Sequence, residues 1–406
     1  MLFGRLLKQV VRVGRLEVVD ADGRSHSFGQ ETAQPVAIRL HDKALHRRLF
    51  FNPELYLGEA YTAGTLTLER GTIYDLLDLF GRNARPYGNS AVHRATLGIN
   101  YMFRHLQQHN PITRARANVA HHYDLSETLY ALFLDRDRQY SCAYFHTGND
   151  TLEAAQANKK RHLAAKLLLR PGQKVLDIGS GWGGLGIYLA QTERVDVTGV
   201  TLLVEQHKVS NDRAAKSGIG DRVRFHLRDY REDRGRYDRI VSVGMFEHVG
   251  SRHYDEFFGK VRDLLAEDGV AILHSIGRME PPGHTNAWIR KYIFPGGYSP
   301  ALSEVVSAVE RAGLWVTDIE ILRLHYAETL REWRRRFHDN RDKVRALYDE
   351  RFCRMWDFYL TICEISFRYF QQMVFQMQLA RRQDAVPLTR DYITDWERSH
   401  PQPSAI

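Results

Sequence analysis

The sequence predicts an α/β chain: an open, Rossmann-like, mostly parallel sheet with helices on both faces, joined to a smaller mixed α+β domain at the N-terminal end. Three observations lead there. From about residue 160 onward, short apolar runs alternate with helical segments at the spacing of βαβ units. The first of these runs enters a glycine-rich turn, VLDIGSGWGG, at 175–184. Residues 16–95 instead follow a rhythm of short alternating segments and turn signals. At 406 residues the chain has room for two domains.

The first fifteen residues, MLFGRLLKQVVRVGR, gather Arg5, Lys8, Arg12 and Arg15 on one side of a helix and Leu2, Phe3, Leu6, Leu7, Val10 and Val11 on the other. That pattern suits a helix lying on an anionic membrane, and equally one docked on its own domain with its cations in water. LEVVD, VAIRL and LTLER then read as strands, with turns at Asp22-Gly23 and Asn52-Pro53. Residues 1–95 are assigned to the small domain, 96–118 to a basic helical connector that breaks near Asn110-Pro111, and 119–400 to the main domain.

The main domain runs as helix (KKRHLAAKLLLR), strand (KVLDIG), helix (GLGIYLAQ), strand (DVTGVTL), helix (EQHKVSNDRAAKSG) and strand (VRFHLRD). A strand (DRIVSVG), a helix (YDEFFGKVRDLL) and a strand (GVAILHSIG) come next, then a last helix and strand in SEVVSAVERAGLWVTDIEIL. Residues 327–382 read as long helices rich in aromatic residues and arginine.

Composition removes several classes of protein. With 43% hydrophobic and 26% charged residues the chain is ordinary globular material, not a disordered one. No run approaches the roughly eighteen apolar residues of a membrane span, and the start lacks a signal peptide's apolar core, which predicts a cytoplasmic protein. Cys142, Cys353 and Cys363 are too widely spaced for a disulfide framework or a C-x-x-C site, and no metal is expected. The net charge of +8 favours polyanionic surfaces, either nucleic acid or anionic lipid headgroups.

In the glycine turn, Asp177 is followed by Gly179, Gly181, Gly183 and Gly184, so the backbone can approach a ligand where side chains would collide. Dinucleotide-binding proteins share such a turn. Two features favour S-adenosylmethionine. Asp177 is placed to hold the amino acid part of that cofactor, and the second strand ends in Thr201 rather than in an acid for a nicotinamide ribose. Asp229-Tyr230 close the third strand at the carboxyl edge of the sheet, where an acid accepts from an adenine amine and a ring stacks on the base. The reading is a class I S-adenosylmethionine-dependent methyltransferase fold with a seven-stranded sheet. Residues 242–250, SVGMFEHVG, carry neither the Asn/Asp-Pro-Pro-aromatic nor the Pro-Cys signature of nucleic-acid base methyltransferases, which argues against a nucleic-acid partner.

YSCAYF (140–145), GVTLLVEQ (199–206), MFEHVG (245–250), WIRKYIFPGGYSP (288–300) and LTICEISFRYFQ (360–371) together resemble the cyclopropane-fatty-acyl-phospholipid synthase family, which includes the mycolic acid cyclopropane synthases. The resemblance spans roughly 115–393, and FNPELYLGEAYTAGTLTLERG (51–71) is similar to the N-terminal domain of the bacterial phospholipid enzymes. It implies a C-methyltransferase that moves a methylene group from S-adenosylmethionine to the cis double bond of an unsaturated acyl chain in a membrane phospholipid. It also implies that the carbocation formed on the way is deprotonated by a bound bicarbonate ion.

The implied bicarbonate ligands are Cys142, Glu247, His274, the backbone of Ile276, and Tyr326. Cys363 matches a cysteine once proposed as a nucleophile in the family, although its apolar helical context suits packing. The implied cofactor contacts are Tyr140, Ser141, Gly179, Gly181, Thr201, Leu202, Gln206, Asp229 and Tyr230, with the segment before the sheet folding over as a lid. Aromatic residues of Lys291–Tyr298 and of the helices from Trp333 to Phe375 are expected along an acyl channel, and Arg334, Arg335 and Arg336 at headgroups or in water.

The resemblance also implies a lipid-associating N-terminal domain, peripheral attachment to the inner face of the membrane, and a homodimer. One departure is Leu125-Ser126 in HHYDLSETLY (121–130), where family members commonly have Gly-Asn. Three alternatives stand beside this reading: an enzyme giving a methyl-branched or methylene product without ring closure, a catalytically silent lipid-binding protein, and an RNA methyltransferase.

Overall fold

Two sheets organise the chain in the computed structural model, which describes residues 2–31, 34–84 and 126–401. The connector assigned to 96–118 and the Leu125 departure lie outside the described residues.

The small sheet has the order β2-β1-β3-β4. Strand β1 (Arg15–Val19) pairs antiparallel with β2 (Ser25–Gly29) and parallel with β3 (Pro35–Leu40), which pairs antiparallel with β4 (Leu66–Arg70). Around it lie α1 (Leu2–Val10), α2 (Leu45–Phe51), α3 (Pro53–Ala63) and α4 (Ile73–Arg82). Pro53 sits where its missing N–H costs nothing, and the Asn52 side chain accepts from the Leu55 N–H, so the Asn-Pro turn is also a helix start. Thr72 and Asp75 close a reciprocal capping box at the start of α4. Helix α1 buries Phe3, Leu6, Leu7 and Val10 and exposes Arg5 and Lys8, so the helix is docked on its own domain with its cations in water.

The large sheet has the order β10-β11-β9-β8-β5-β6-β7. Strands β5 (Lys174–Ile178), β6 (Asp196–Thr201), β7 (Val223–Leu227), β8 (Tyr237–Val243) and β9 (Leu265–Arg278) run parallel. Strand β10 (Trp315–Ile321) and strand β11 (Gln372–Ala380) complete it, β11 running antiparallel between β9 and β10. Helices on the two faces are α5 (Glu127–Phe133), α6 (Leu152–Leu167), α7 (Gly184–Glu193), α8 (Val204–Lys216), α9 (Tyr254–Leu264), α10 (Ala287–Tyr292), α11 (Leu302–Arg311) and α15 (Asp391–Ser399).

The reading of 327–382 as helices needs correcting at its end. Helices α12 (His325–Asp339), α13 (Arg341–Leu347) and α14 (Glu350–Tyr369) form as expected, but after Phe370 and Gln371 the chain enters β11. Gln371 adopts a left-handed conformation, φ 54°, which an α-helix cannot continue through. Met373 to Ala380 are buried, so no inside-outside alternation marks the strand.

The small domain shares an apolar core with the helices that cover one end of the large sheet, whose strands pack in two further clusters. A single cluster runs from Phe3 and Leu7 through Trp288, Trp333 and Trp356 to Phe367. Helix α14 packs against α3 and α4, and Tyr369 fills the space left by Gly81, where a Cβ would stand 2.4 Å from the ring. Arg334 pairs with Glu364 and Arg336 with Glu153, while the exposed Arg335 pairs along its own helix.

Candidate functional site

Strand β5 ends at a turn that only glycine enters without strain: Gly179, Gly181 and Gly183 have φ of 84°, 54° and 81°. A Cβ on Gly179 would lie 2.8 Å from Met245, so the turn is also tightly covered. Around it is a cavity of about 160 Å³ lined by Tyr140, Ser141, Asp177, Gly179, Gly181, Thr201, Leu202, Gln206, Asp229 and Tyr230. These are the positions named from sequence for a cofactor. Thr201 donates to Gln206 at 3.0 Å and so ties the end of β6 to the first turn of α8.

The Asp177 carboxyl is buried, its Oδ2 has no hydrogen-bond partner, and burial pushes its pKa up to about 7. A cationic amino group is the partner such an orphaned acid lacks, and the amino acid part of S-adenosylmethionine carries one. Asp229 is held differently. It caps the short turn Tyr230–Glu232, and Arg231 grips its two oxygens at 2.9 and 2.8 Å. Sequence reading passed over Arg231, whose one signal is its position two residues after the acid.

A second cavity, of about 1190 Å³, meets the first at Tyr140, Ser141, Gly244 and His248, which line both. Cys142, Glu247, His274, Ile276, Tyr326 and Cys363 all line this larger cavity. They arrive from separate elements: the loop between α5 and α6, the turn after β8, strand β9, the first turn of α12, and α14.

Burial disfavours the charged forms of the acid and basic groups of the junction. Glu247 accepts the Ile276 N–H at 2.6 Å through Oε1, its Oε2 has no partner, and its pKa is pushed up to about 7. The Ile276 N–H, expected to face an anion, is therefore already given to the nearest buried carboxyl. His274 is fully buried and its pKa is driven well below the usual histidine range. Gln376 donates to His274 Nδ1 at 3.2 Å, and Lys166 donates to the Gln376 amide oxygen at 2.9 Å, which fixes that amide's orientation. The His274 proton therefore sits on Nε2. His248 is held near 4 by burial. Burial also raises the Cys142 thiol far above its ordinary range, and its S–H donates to the Ala143 carbonyl at 3.3 Å.

Beneath the Tyr140–Cys142 loop, the buried Lys159 donates to Gln139 at 2.6 Å and to Ser141 at 2.9 Å, and desolvation lowers it to about 8. The Tyr140 and Tyr359 hydroxyls share a hydrogen bond of 2.7 Å. Lys159, His248, Tyr359 and Gln376 were not singled out from sequence. His248 alone was within reach, being next to Glu247 in the same motif.

Cys363 is pushed up to about 12 by burial, an inert thiol in keeping with its apolar setting. Of the aromatic residues expected along a channel, Phe294, Tyr298, Phe358, Tyr359, Phe367, Tyr369 and Phe370 line the cavity. Trp333, Trp356 and Phe375 are core, and Lys291 pairs with Glu59 near the surface.

Residues 110–377 match the family model described as mycolic acid cyclopropane synthetase. The chain is 36% identical to a tuberculostearic acid methyltransferase of Mycobacterium tuberculosis, over 93% of this chain and 90% of that protein. It is also 36% identical to the cyclopropane-fatty-acyl-phospholipid synthase of Escherichia coli, over 86% of this chain and 88% of that one. Among solved structures, the mycolic acid cyclopropane synthase CmaA1 complexed with SAH and CTAB superposes with a TM-score of 0.62 at 34% identity, covering 67% of this chain and 99% of that chain.

Proposed function

The chain belongs to the mycolic acid cyclopropane synthetase family, and we propose that this S-adenosylmethionine-dependent lipid methyltransferase bridges the cis double bond of an unsaturated acyl chain in a membrane phospholipid, with bicarbonate as the base. The observation that carries the proposal is the junction of the two cavities. A small polar site around the glycine turn opens, at Tyr140, Ser141, Gly244 and His248, into a large space walled by apolar and aromatic side chains.

Asp177, the glycine turn, Thr201, Gln206, Asp229 and Arg231 would hold the cofactor, which supplies an electrophilic methyl group. An alkene is a weak nucleophile, so the protein's share is alignment and exclusion of water. His274, His248 and Cys142 are uncharged at the junction at neutral pH and Glu247 becomes so as pH falls below 7, so none of them sets a fixed positive charge against a carbocation. Tyr326 and Tyr359 line the cavity wall, where an aromatic face would stabilise such a cation. His274 Nε2–H, the Tyr326 hydroxyl and a protonated Glu247 would form a neutral cradle for a small anion, walled by the Cys142 thiol, whose S–H goes to the Ala143 carbonyl, and bicarbonate there would supply the base.

Peripheral attachment to the inner face of the membrane and a homodimer belong to the same proposal. The charge of +8 supports the first. Among the described residues no helix is long and apolar enough to cross a membrane.

A second reading, a methyl-branched or methylene product without ring closure, is favoured by the likeness to the tuberculostearic acid methyltransferase, which extends over both sheets. One experiment tests both. The protein is incubated with S-adenosylmethionine and cis-monounsaturated phospholipid vesicles, and the lipids are read by proton NMR. Upfield ring protons are the expected result, a branched methyl or vinylidene signal selects the second reading, and transfer to RNA with none to lipid refutes both.

A further inference from the structure

His274, Ile276 and Arg278 stand two residues apart at the end of β9, on one face of the strand, and all three line the large cavity. At about 3.3 Å per residue, Arg278 lies roughly 13 Å along the strand from His274. That span is comparable to the reach of an acyl chain between its ester and a mid-chain double bond.

Arg278 is only 8% exposed. Its Nε donates to the Ser299 carbonyl at 3.0 Å and its Nη2 to the His284 carbonyl at 3.2 Å, and the guanidinium lies 5.4 Å from the centre of the Tyr298 ring. Its Nη1 sits against Gly283, where a Cβ would come within 2.1 Å, so glycine is what leaves the guanidinium its room. Two of five N–H donors are spent on carbonyls, and among the described residues no carboxylate pairs with it. The nearby acids are engaged or outside: Glu54 faces His284 at 3.5 Å, Glu304 accepts from Tyr298 at 2.7 Å, and Glu280 is exposed. A buried cation with spare donors and no counter-charge calls for an anion.

The cavity wall is partly exposed at Glu280 to Thr285 and at Phe370 to Gln372, which marks an opening. Beside it Met279 is 57% and Phe370 37% exposed, an apolar rim next to the cation.

We infer that Arg278 anchors the phosphodiester of a phospholipid whose unsaturated chain runs down the cavity to Glu247 and His274. This rests on the lipid reading above. Because anchor and cradle sit on one strand, their fixed separation selects which double bond along the chain reaches the methyl group.

The test compares wild type with Arg278→Gln, Arg278→Lys and Gly283→Ala on three micellar substrates: a cis-monounsaturated phosphatidylglycerol, the same acid free, and its neutral methyl ester. Arg278→Gln is expected to raise KM for the phospholipid by about tenfold to a hundredfold, with a much smaller change for the methyl ester. Lysine restores part of the loss, and Gly283→Ala, which displaces the guanidinium without removing it, falls between. Equal losses on all three substrates make Arg278 a staple of the 279–299 loop and overturn the inference, as does a loss confined to the free acid or no change at all. Inactivity of the wild type on every lipid counts against the function instead. Phospholipid binding read by tryptophan fluorescence then decides: weaker binding by Arg278→Gln supports the anchor, and equal binding overturns it.

Discussion

Replacing Glu247 by glutamine sets folding stability against catalysis in a way the burial of this carboxyl specifies. Its pKa is pushed from an ordinary 4.5 to about 7 by desolvation. Below pH 4.5 the group is protonated in folded and unfolded chains alike, and this route contributes nothing to stability. Between 4.5 and 7 the unfolded chain ionises while the folded chain holds its proton, so stability falls as pH rises, and above 7 the full cost is present. At about 1.4 kcal/mol per pH unit that cost reaches roughly 3 kcal/mol. Glutamine never ionises, and its oxygen can still accept from the Ile276 N–H. Glu247→Gln is therefore expected to be more stable than wild type in urea by up to about 3 kcal/mol at pH 8.5, and nearly matched at pH 4.5. Methyl transfer to cis-unsaturated vesicles should fall by about 10²- to 10⁴-fold, because the amide that replaces the unpartnered Oε2 can donate to an anion but can neither take up nor give up a proton. Equal destabilisation at both pH values would refute the buried-carboxyl argument, and an unchanged rate would remove Glu247 from the chemistry.

Asp177, held at about 7, must ionise to meet a cationic amino group, so S-adenosylmethionine should bind up to about tenfold more tightly at pH 8 than at pH 6 and release a proton below neutrality. Calorimetry in two buffers of different ionisation enthalpy reads that proton directly, and Asp177→Asn should abolish the pH dependence. Gln376→Leu releases His274 Nδ1 and should lower kcat by about tenfold while KM for lipid holds, since the imidazole loses its fixed tautomer. Cys363→Ala should leave the rate within about twofold, because a thiol held near 12 is no nucleophile at neutral pH; a hundredfold loss would reinstate it.

The parts of the site that could be read from sequence are those whose chemistry is local. Glycines at 179, 181 and 183 state a backbone requirement outright, and positive φ at each is what they are for. Cys142 and Glu247 sit in short motifs that resemble a known family. Other features depend on partners far along the chain. Lys159, in a run that reads as a solvated KKRH face, is wholly buried because Gln139 and Ser141 receive it. Phe3 and Leu7 could as well have faced a membrane as their own core, and only the neighbouring helices decide.

Strand β11 was missed for the same reason, and the site depends on it. Its glutamines look unlike core residues until their partners are in place: Gln378 donates to the Lys166 carbonyl at 2.6 Å and to Tyr392 at 2.8 Å. The antiparallel register sets Gln376 directly opposite His274, so the last strand supplies the hydrogen bond that decides which imidazole nitrogen faces the cavity. Lys166, which orients Gln376, is itself gripped by Glu320. His162 meets Glu320 at 2.6 Å through one nitrogen and Glu397 on α15 at 2.9 Å through the other. A chain of satisfied polar groups thus runs from helix α15 to His274. In a low-dielectric interior, breaking any link leaves an unpaired buried group, which penalises every other orientation of His274. Tyr359 of α14, bonded to Tyr140, does the same for the loop that carries Cys142. Glycine turn, carboxyl and imidazole are all in place by residue 274, yet the late part of the chain is what holds that imidazole in one tautomer.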